Sequence, residues 1–158
     1  MTESGKTTLA TRLSKTLSKD NHIIVYDPRK NGGWTADYET SNFDDFTDMV
    51  KGSRECIIFV DEAGQVCRNR DVENYWLATD SRHYGHSVFF IAQRPGMVAL
   101  TIRTQCKFLY CFFVNNKDAN DNLVPEWGNK ELAKAEELKQ GEYFYYRRFG
   151  ELKRYKLF

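Results

Sequence analysis

The sequence predicts an α/β fold three layers deep, with helices covering both faces of a mainly parallel sheet. Leu9, Leu13 and Leu17 recur at helical spacing. Four apolar runs, 22–26, 56–60, 87–92 and 107–114, have the composition of strands buried on both faces. Helical or polar stretches separate these runs, and that alternation favours a parallel arrangement.

Each element has its own justification. The first helix is expected over 5–18, with its leucine stripe against the sheet and Lys19-Asp20-Asn21 closing it. The strand at 22–26 is β-branched and stops at Asp27-Pro28. Asn31-Gly32-Gly33-Trp34 reads as a turn, and Asn42 is placed to cap a short helix carrying Phe43, Phe46 and Val50 on one face, ended by Gly52-Ser53. The strand at 56–60 runs into Asp61-Glu62-Ala63. A helical region is expected from about 71 through Trp76 to 84, ended by Gly85. The strand at 87–92 runs into Gln93-Arg94-Pro95, and 107–114 is the fourth strand of the sheet. Residues 115–121 read as a loop or short helix, and Asn129 is placed to cap a final helix through about 138. At the end, 142–148 and 152–158 flank Phe149-Gly150-Glu151, the pattern of a β-hairpin.

Composition limits the class of protein. A length of 158 residues suits one domain, 1–158, with a real core. The 41% hydrophobic and 28% charged content is ordinary for a globular protein, and no apolar run approaches the length of a membrane span. Met1 leads directly into polar residues, which gives no signal-peptide pattern and sets the expectation of a cytosolic chain. The net charge of +1 provides no general basic field for nucleic acid, so any such contact must be local or arise by assembly. Cys56, Cys67, Cys106 and Cys111 lack metal-site spacing and read as reduced, mostly core residues.

The chemistry begins at Thr2-Glu3-Ser4-Gly5-Lys6-Thr7-Thr8, which matches the end of a phosphate-binding loop opening a helix. In such loops successive backbone N–H groups curl around nucleotide phosphates and the lysine ammonium reaches the outer ones. The first glycine of the pattern and the strand that feeds it would fall before Met1, so an N-terminally incomplete chain is the expectation. Asp61-Glu62 has the form of a Walker B element: an apolar strand delivering two acids to the carboxyl edge of the sheet, one for a magnesium ion and one for the attacking water. Gln93 ends another strand at that edge, where an amide can sense the γ-phosphate. Individually these have plainer readings, helix capping for Gly-Lys-Thr and for Asp61-Glu62 and a loop residue for Gln93. Their order along one chain favours a three-layer P-loop nucleotide-binding fold lacking its first strand.

Arg82-His83-Tyr84-Gly85-His86-Ser87, the following apolar strand, Gln93-Arg94-Pro95 and Thr104-Gln105-Cys106 resemble the HerA and FtsK group of P-loop ATPases, of the RecA-like, ASCE type. Within it, the resemblance is to viral genome-packaging ATPases, including those of tailless phages with an internal membrane. It spans Thr2 to about Val114 and implies an ATP-hydrolysing motor that translocates double-stranded DNA as a homo-oligomer, with a hexameric ring expected. Lys6 would bind the β- and γ-phosphates of ATP, while Thr7 and Asp61 would hold Mg2+. Glu62 would activate water, Gln93 would be the sensor, and Arg82, with Arg94 as second candidate, would act in a neighbouring subunit's site. Capsid or portal-vertex proteins are the implied partners, with viral membrane proteins as further candidates. The implied location is the host cytoplasm or the packaging vertex of the virion.

Other readings remain open. A small P-loop nucleotide kinase would need the same loop plus an arginine-rich lid, for which no stretch stands out; a nonhydrolysing P-loop module is the third. His83 and His86 read as hydrogen-bonding residues rather than metal ligands. The tail interleaves Arg147, Arg148, Lys153, Arg154 and Lys156 with aromatic residues, either as a nucleic-acid strip or, more commonly, as an edge hairpin with its charges outside. Residues 28–34 and 66–70, the latter with Arg68 and Arg70, are candidate DNA-facing loops.

Overall fold

The computed structural model describes residues 4–158. Thr2 and Glu3, two of the expected loop residues, lie outside them. Helix α1 (Lys6–Leu17) leads to strand β1 (His22–Tyr26), short strand β2 (Tyr38–Thr40), helix α2 (Phe43–Lys51) and strand β3 (Cys56–Val60). Helix α3 (Ala63–Val66), helix α4 (Trp76–Thr79), strand β4 (Ser87–Phe90) and helix α5 (Leu100–Gln105) follow. Strand β5 (Phe108–Cys111), helices α6 (Asn116–Asp118) and α7 (Val124–Trp127), and strands β6 (Glu142–Arg147) and β7 (Lys153–Lys156) complete the chain.

The expected parallel sheet is present as four strands in the order β2-β1-β3-β4. Its two central strands read as continuous apolar runs because successive side chains enter opposite cores. Ile23, Val25 and Phe59 pack with Ala10, Leu13 and Leu17 of α1 on one face. Ile24, Tyr26, Ile58 and Val60 pack on the other with Phe46 and Val50 of α2, Leu77 of α4 and Ile102 of α5. The three layers follow directly from that alternation. Asn42 caps α2 as expected, its side chain accepting from the Asp45 N–H at 2.9 Å.

Four elements differ from expectation. The run at 107–114 does not continue the parallel sheet: β5 pairs antiparallel with β6, and β6 with β7, so the hairpin belongs to a separate three-stranded sheet. An apolar run records burial and not its partner, and β6 offers β5 a matching aromatic face, with Phe108 stacked on Tyr145 and Tyr110 tilted against it. The Phe89 and Tyr110 rings lie 6.5 Å apart, so β4 and β5 are neighbours, yet no ladder joins the two sheets among the described residues. The expected helix over 71–84 is broken into a 3-10 turn (Val72–Asn74), α4 and a second 3-10 turn (Ser81–Tyr84). Here Thr79 and Ser81 hydroxyls donate to the carbonyls of Tyr75 and Leu77, competing with regular helix. The third is β2, which carries no apolar run because it is a half-exposed edge strand. The helix predicted after Asn129 is 3-10 in type, Lys130–Glu137, with Asn129 accepting from Glu131 N–H.

Arg148 closes the second core. Its guanidinium donates to the carbonyls of Cys106, Glu126 and Arg103 at 2.8, 2.8 and 3.2 Å and lies 4.0 Å from the centre of the Trp127 ring. One side chain thereby ties β6 to α5 and α7. Arg148→Ala removes three charge-assisted hydrogen bonds and a cation–π contact, and is expected to cost roughly 2–4 kcal/mol in urea denaturation, with Arg148→Lys in between.

Candidate nucleotide site

Parallel pairing brings several chain segments to one edge. Tyr26 stands opposite Val60 in the register of β1 and β3, and Val60 opposite Phe90 in that of β3 and β4. The residues that follow therefore emerge side by side: Asp27 after β1, Asp61 and Glu62 after β3, and Gln93 three residues beyond β4. Backbone bonds extend the ladders past the strands, from Asp61 N–H to the Tyr26 carbonyl at 3.0 Å and from Ala63 N–H to the Ile91 carbonyl at 2.8 Å.

Gly5 sets the start of α1. Its φ of 101° lies in the left-handed region, and an added Cβ would meet Phe112 at 3.1 Å and Leu157 at 3.2 Å, so glycine is required on two counts. Lys6, Thr7 and Thr8 occupy the first turn, where backbone N–H groups have no intrahelical partner. The Lys6 ammonium donates to Ser4 Oγ at 2.7 Å. Burial lowers the Lys6 pKa, and the opposing pull of Glu62, then of Cys111 and Asp61, places that ammonium within electrostatic reach of the two acids.

Asp61 is 2% exposed. Its Oδ1 accepts from the Glu62 N–H at 2.8 Å, while Oδ2 is buried without a hydrogen-bond partner. Burial raises its pKa; the Glu62 N–H works against that shift, while the charges of Glu62 and Asp27 add to it and the Asn31 side chain opposes it. Glu62 adopts φ 52° and ψ 41°, an uncommon left-handed conformation for a residue with a side chain. Strain of this kind is found where a side chain must be aimed.

Asp27 is not among the expected site residues, and Arg29 and Asn31 are expected only as part of a candidate DNA-facing loop, not beside the two acids. Asp27 is 1% exposed; its Oδ2 accepts from Gly32 N–H at 3.3 Å and Trp34 Nε1–H at 3.1 Å, and its Oδ1 is buried and unpartnered. Arg29 Nε lies 3.1 Å from Glu62 Oε1. The available signal was topological: a strand parallel to and beside the one carrying Asp61 must end beside it.

The remaining candidates fall elsewhere. Gln93 is exposed at the site edge. Arg82 is exposed in the 3-10 turn before β4, at the amino edge, where the Tyr84 carbonyl accepts from Glu55 N–H. It is remote from its own chain's Lys6 end of the sheet. Arg94 is held by Asp118 in a two-pronged bridge at 2.9 and 3.0 Å, which also lowers the Asp118 pKa. Arg68 is similarly engaged by Asp71 through its backbone and guanidinium, which turns it back on its own loop. His86 is buried: Nδ1 accepts from Cys56 N–H, so Nε2 carries the proton and donates to the Val50 carbonyl. The cysteines are free thiols, with burial pushing Cys67 and Cys111 to about 12 and Cys106 to about 11.

The donor set fits a hard divalent ion held largely through water and phosphate. Among the described residues no three His, Cys, Asp or Glu side chains converge as a metal cage. Mg2+ characteristically keeps several waters and takes one or two protein oxygens beside substrate phosphates. The unpartnered Asp61 Oδ2 and the Thr7 hydroxyl are suitable oxygens, and the N–H groups at the start of α1 suit an anion.

No protein-family model and no curated protein sequence matches the chain. Solved structures do. The genome packaging NTPase B204 of Sulfolobus turreted icosahedral virus 2, in complex with AMPPCP, superimposes with a TM-score of 0.79 at 16% identity, over 99% of this chain and 94% of that one. B204, the DNA-packaging ATPase from Sulfolobus turreted icosahedral virus, gives 0.77 at 17% identity over 99% and 93%. The pCW3 conjugation coupling protein TcpA, with ATPgS, gives 0.71 at 16% identity over 99% of this chain and 58% of that one. The expected fold is therefore shared with these proteins.

The buried acid has a pH consequence. Because the folded pKa of Asp61 is raised above 3.8, the folded state holds a proton that the unfolded chain has released, and stability falls as pH climbs through that interval. Asp61→Asn removes the penalty: its melting temperature at pH 7 is expected to exceed that of the parent, with the gain disappearing as pH falls below 3.8.

Proposed function

From the fold held in common with genome-packaging NTPases, we propose that this chain is an ATP-hydrolysing motor domain acting on double-stranded DNA, in the packaging of a viral genome. The observation that carries this reading is the convergence of the α1 N-terminus with its Lys6, the buried Asp61 and the strained Glu62 at one sheet edge.

In this reading Lys6 and the N–H groups of the first turn bind the β- and γ-phosphates of ATP. Thr7 and Asp61 hold Mg2+, which when bound neutralises charge on the phosphates. Glu62 accepts the proton of the attacking water while the water oxygen bonds to the γ-phosphorus and the bridging oxygen leaves with ADP. Gln93 senses the γ-phosphate from the neighbouring strand end.

Arg82 belongs at the opposite edge and would serve the site of an adjacent subunit, which is the arrangement a closed ring, hexameric in our reading, provides. Capsid or portal-vertex proteins, and viral membrane proteins, are the partners such a motor would meet, in the host cytoplasm or at the packaging vertex.

Phosphate release from ATP and Mg2+, measured with and without duplex DNA, tests the reading. Hydrolysis stimulated by DNA and reduced at least about 100-fold by Glu62→Gln is expected. Turnover indifferent to both DNA and Glu62, or phosphate transfer to a nucleoside acceptor, would contradict it.

A further inference from the structure

Gln93 lies between two anchors. On one side is the sheet: Ile91 N–H donates to the Val60 carbonyl at 3.0 Å, and the Ile91 carbonyl accepts from Ala63 N–H at 2.8 Å. These bonds carry the ladder one residue past the end of β4. On the other side is Arg94, whose guanidinium reaches Asp118 through Nε at 2.9 Å and Nη2 at 3.0 Å. The chain then turns through the 3-10 segment Pro95–Met97. Only Ala92 and Gln93 span the distance from ladder to ion pair, so the direction of the exposed Gln93 follows from where those two ends are fixed.

The Asp118 end is held by its own surroundings. Asp118 is 8% exposed; its Oδ2 also accepts from Asn115 Nδ2 at 2.9 Å, and its N–H donates to Asn115 Oδ1 at 2.9 Å, the cap of α6. Directly after it the chain winds as a π-helix, Ala119–Leu123, a rare geometry concentrated at functional positions. That turn brings Asn122 to the same loop: a Cβ on Gly96 would meet its side-chain amide at 3.4 Å, and its Oδ1 accepts from Arg103 Nη1 at 3.3 Å. Ala119 and Leu123 of the turn are buried in the second core. The Arg94 side chain, by contrast, is 65% exposed, and the two Asp118 bonds set its direction.

A two-pronged ion pair with one exposed partner fixes geometry more than it adds stability. We propose that Asp118 is a positioning residue: through Arg94 it holds Gln93 at the edge beside Asp61 and Glu62, and so ties the γ-phosphate sensor to the second core. This inference rests on the proposed ATPase reading and adds a residue that serves its sensor.

Steady-state ATP hydrolysis by Asp118→Asn and Arg94→Gln tests the clamp. The second variant leaves the bonds between Asn115 and Asp118 in place, so it reads the ion pair without disturbing α6. Each is expected to lower kcat about ten-fold with KM for ATP little changed, as displacement of one catalytic group does. Asp118→Glu, which keeps a two-oxygen acceptor, should recover part of the loss. In a Gln93→Ala background neither change should lower kcat further, because the group they position is gone. An equal further fall in that background, or an unchanged kcat in both single variants, would overturn the clamp.

The Gln93 side-chain amide gives a readout independent of turnover. In the ligand-free protein Asp118→Asn, a change 25 positions away, should shift the Nε2–H resonances, and Asp118→Glu should return them toward the parent position. Resonances unmoved by Asp118→Asn overturn the clamp even where hydrolysis is present. Resonances that follow this pattern in a protein without turnover uphold the clamp and contradict the ATPase reading.

Discussion

The ladder between β1 and β3, continued to β4, is the constraint on which the site depends. Each strand is too short to position chemistry by itself, and none of the candidate site side chains sits within one. What the ladder fixes is phase: Tyr26, Val60 and Phe90 end at corresponding levels, so the residues after them meet. Slipping β3 by one residue would move Ile58 and Val60 from the α2 core to the α1 side and carry Asp61 out of place at the same time. Hydrophobic register and acid placement are a single decision.

The energetics at that edge run against stability. Asp61 is buried with one oxygen unpartnered, Asp27 likewise, and Glu62 is held in a left-handed backbone conformation. These costs are carried by surrounding packing, including the Phe59 and Phe89 rings stacked at 4.8 Å behind the edge and the Asp27 bonds that fold the neighbouring loop over it. Groups arranged this way suit a ligand that brings cations, water and phosphate oxygens with it. At the opposite edge Glu55 is also left-handed, at φ 55°, but among the described residues no buried carboxylate oxygen there lacks a partner, and His86 is buried with both ring nitrogens bonded.

Much of this was legible in the residues. The apolar runs at 22–26 and 56–60 became β1 and β3 with the same bounds, and Asn42 and Gly5 performed the local roles their residue types suggest. The partner of 107–114 was not legible, because an apolar run of that length is consistent with any buried sheet and the choice of β6 depends on aromatic faces formed far along the chain. The short strand β2 escaped because half-exposed edges carry no apolar signature. The roles of Asp27 and Arg29 became visible only when the parallel order put the end of β1 beside that of β3. Arg94, which sequence could only offer as a candidate, is committed to Asp118 by a contact across 24 positions.

In the proposed reading, the α1 N-terminus and the ends of β1 and β3 form one nucleotide-binding edge. Amide hydrogen exchange with and without Mg2+ and ATPγS tests it most directly, because it reads every backbone N–H in the same sample. New protection is expected at residues 5–8, where N–H groups await an anion, with a change at 61–63 and little at 82–86 on the opposite edge. Protection at 82–86 with none at 5–8 would contradict it.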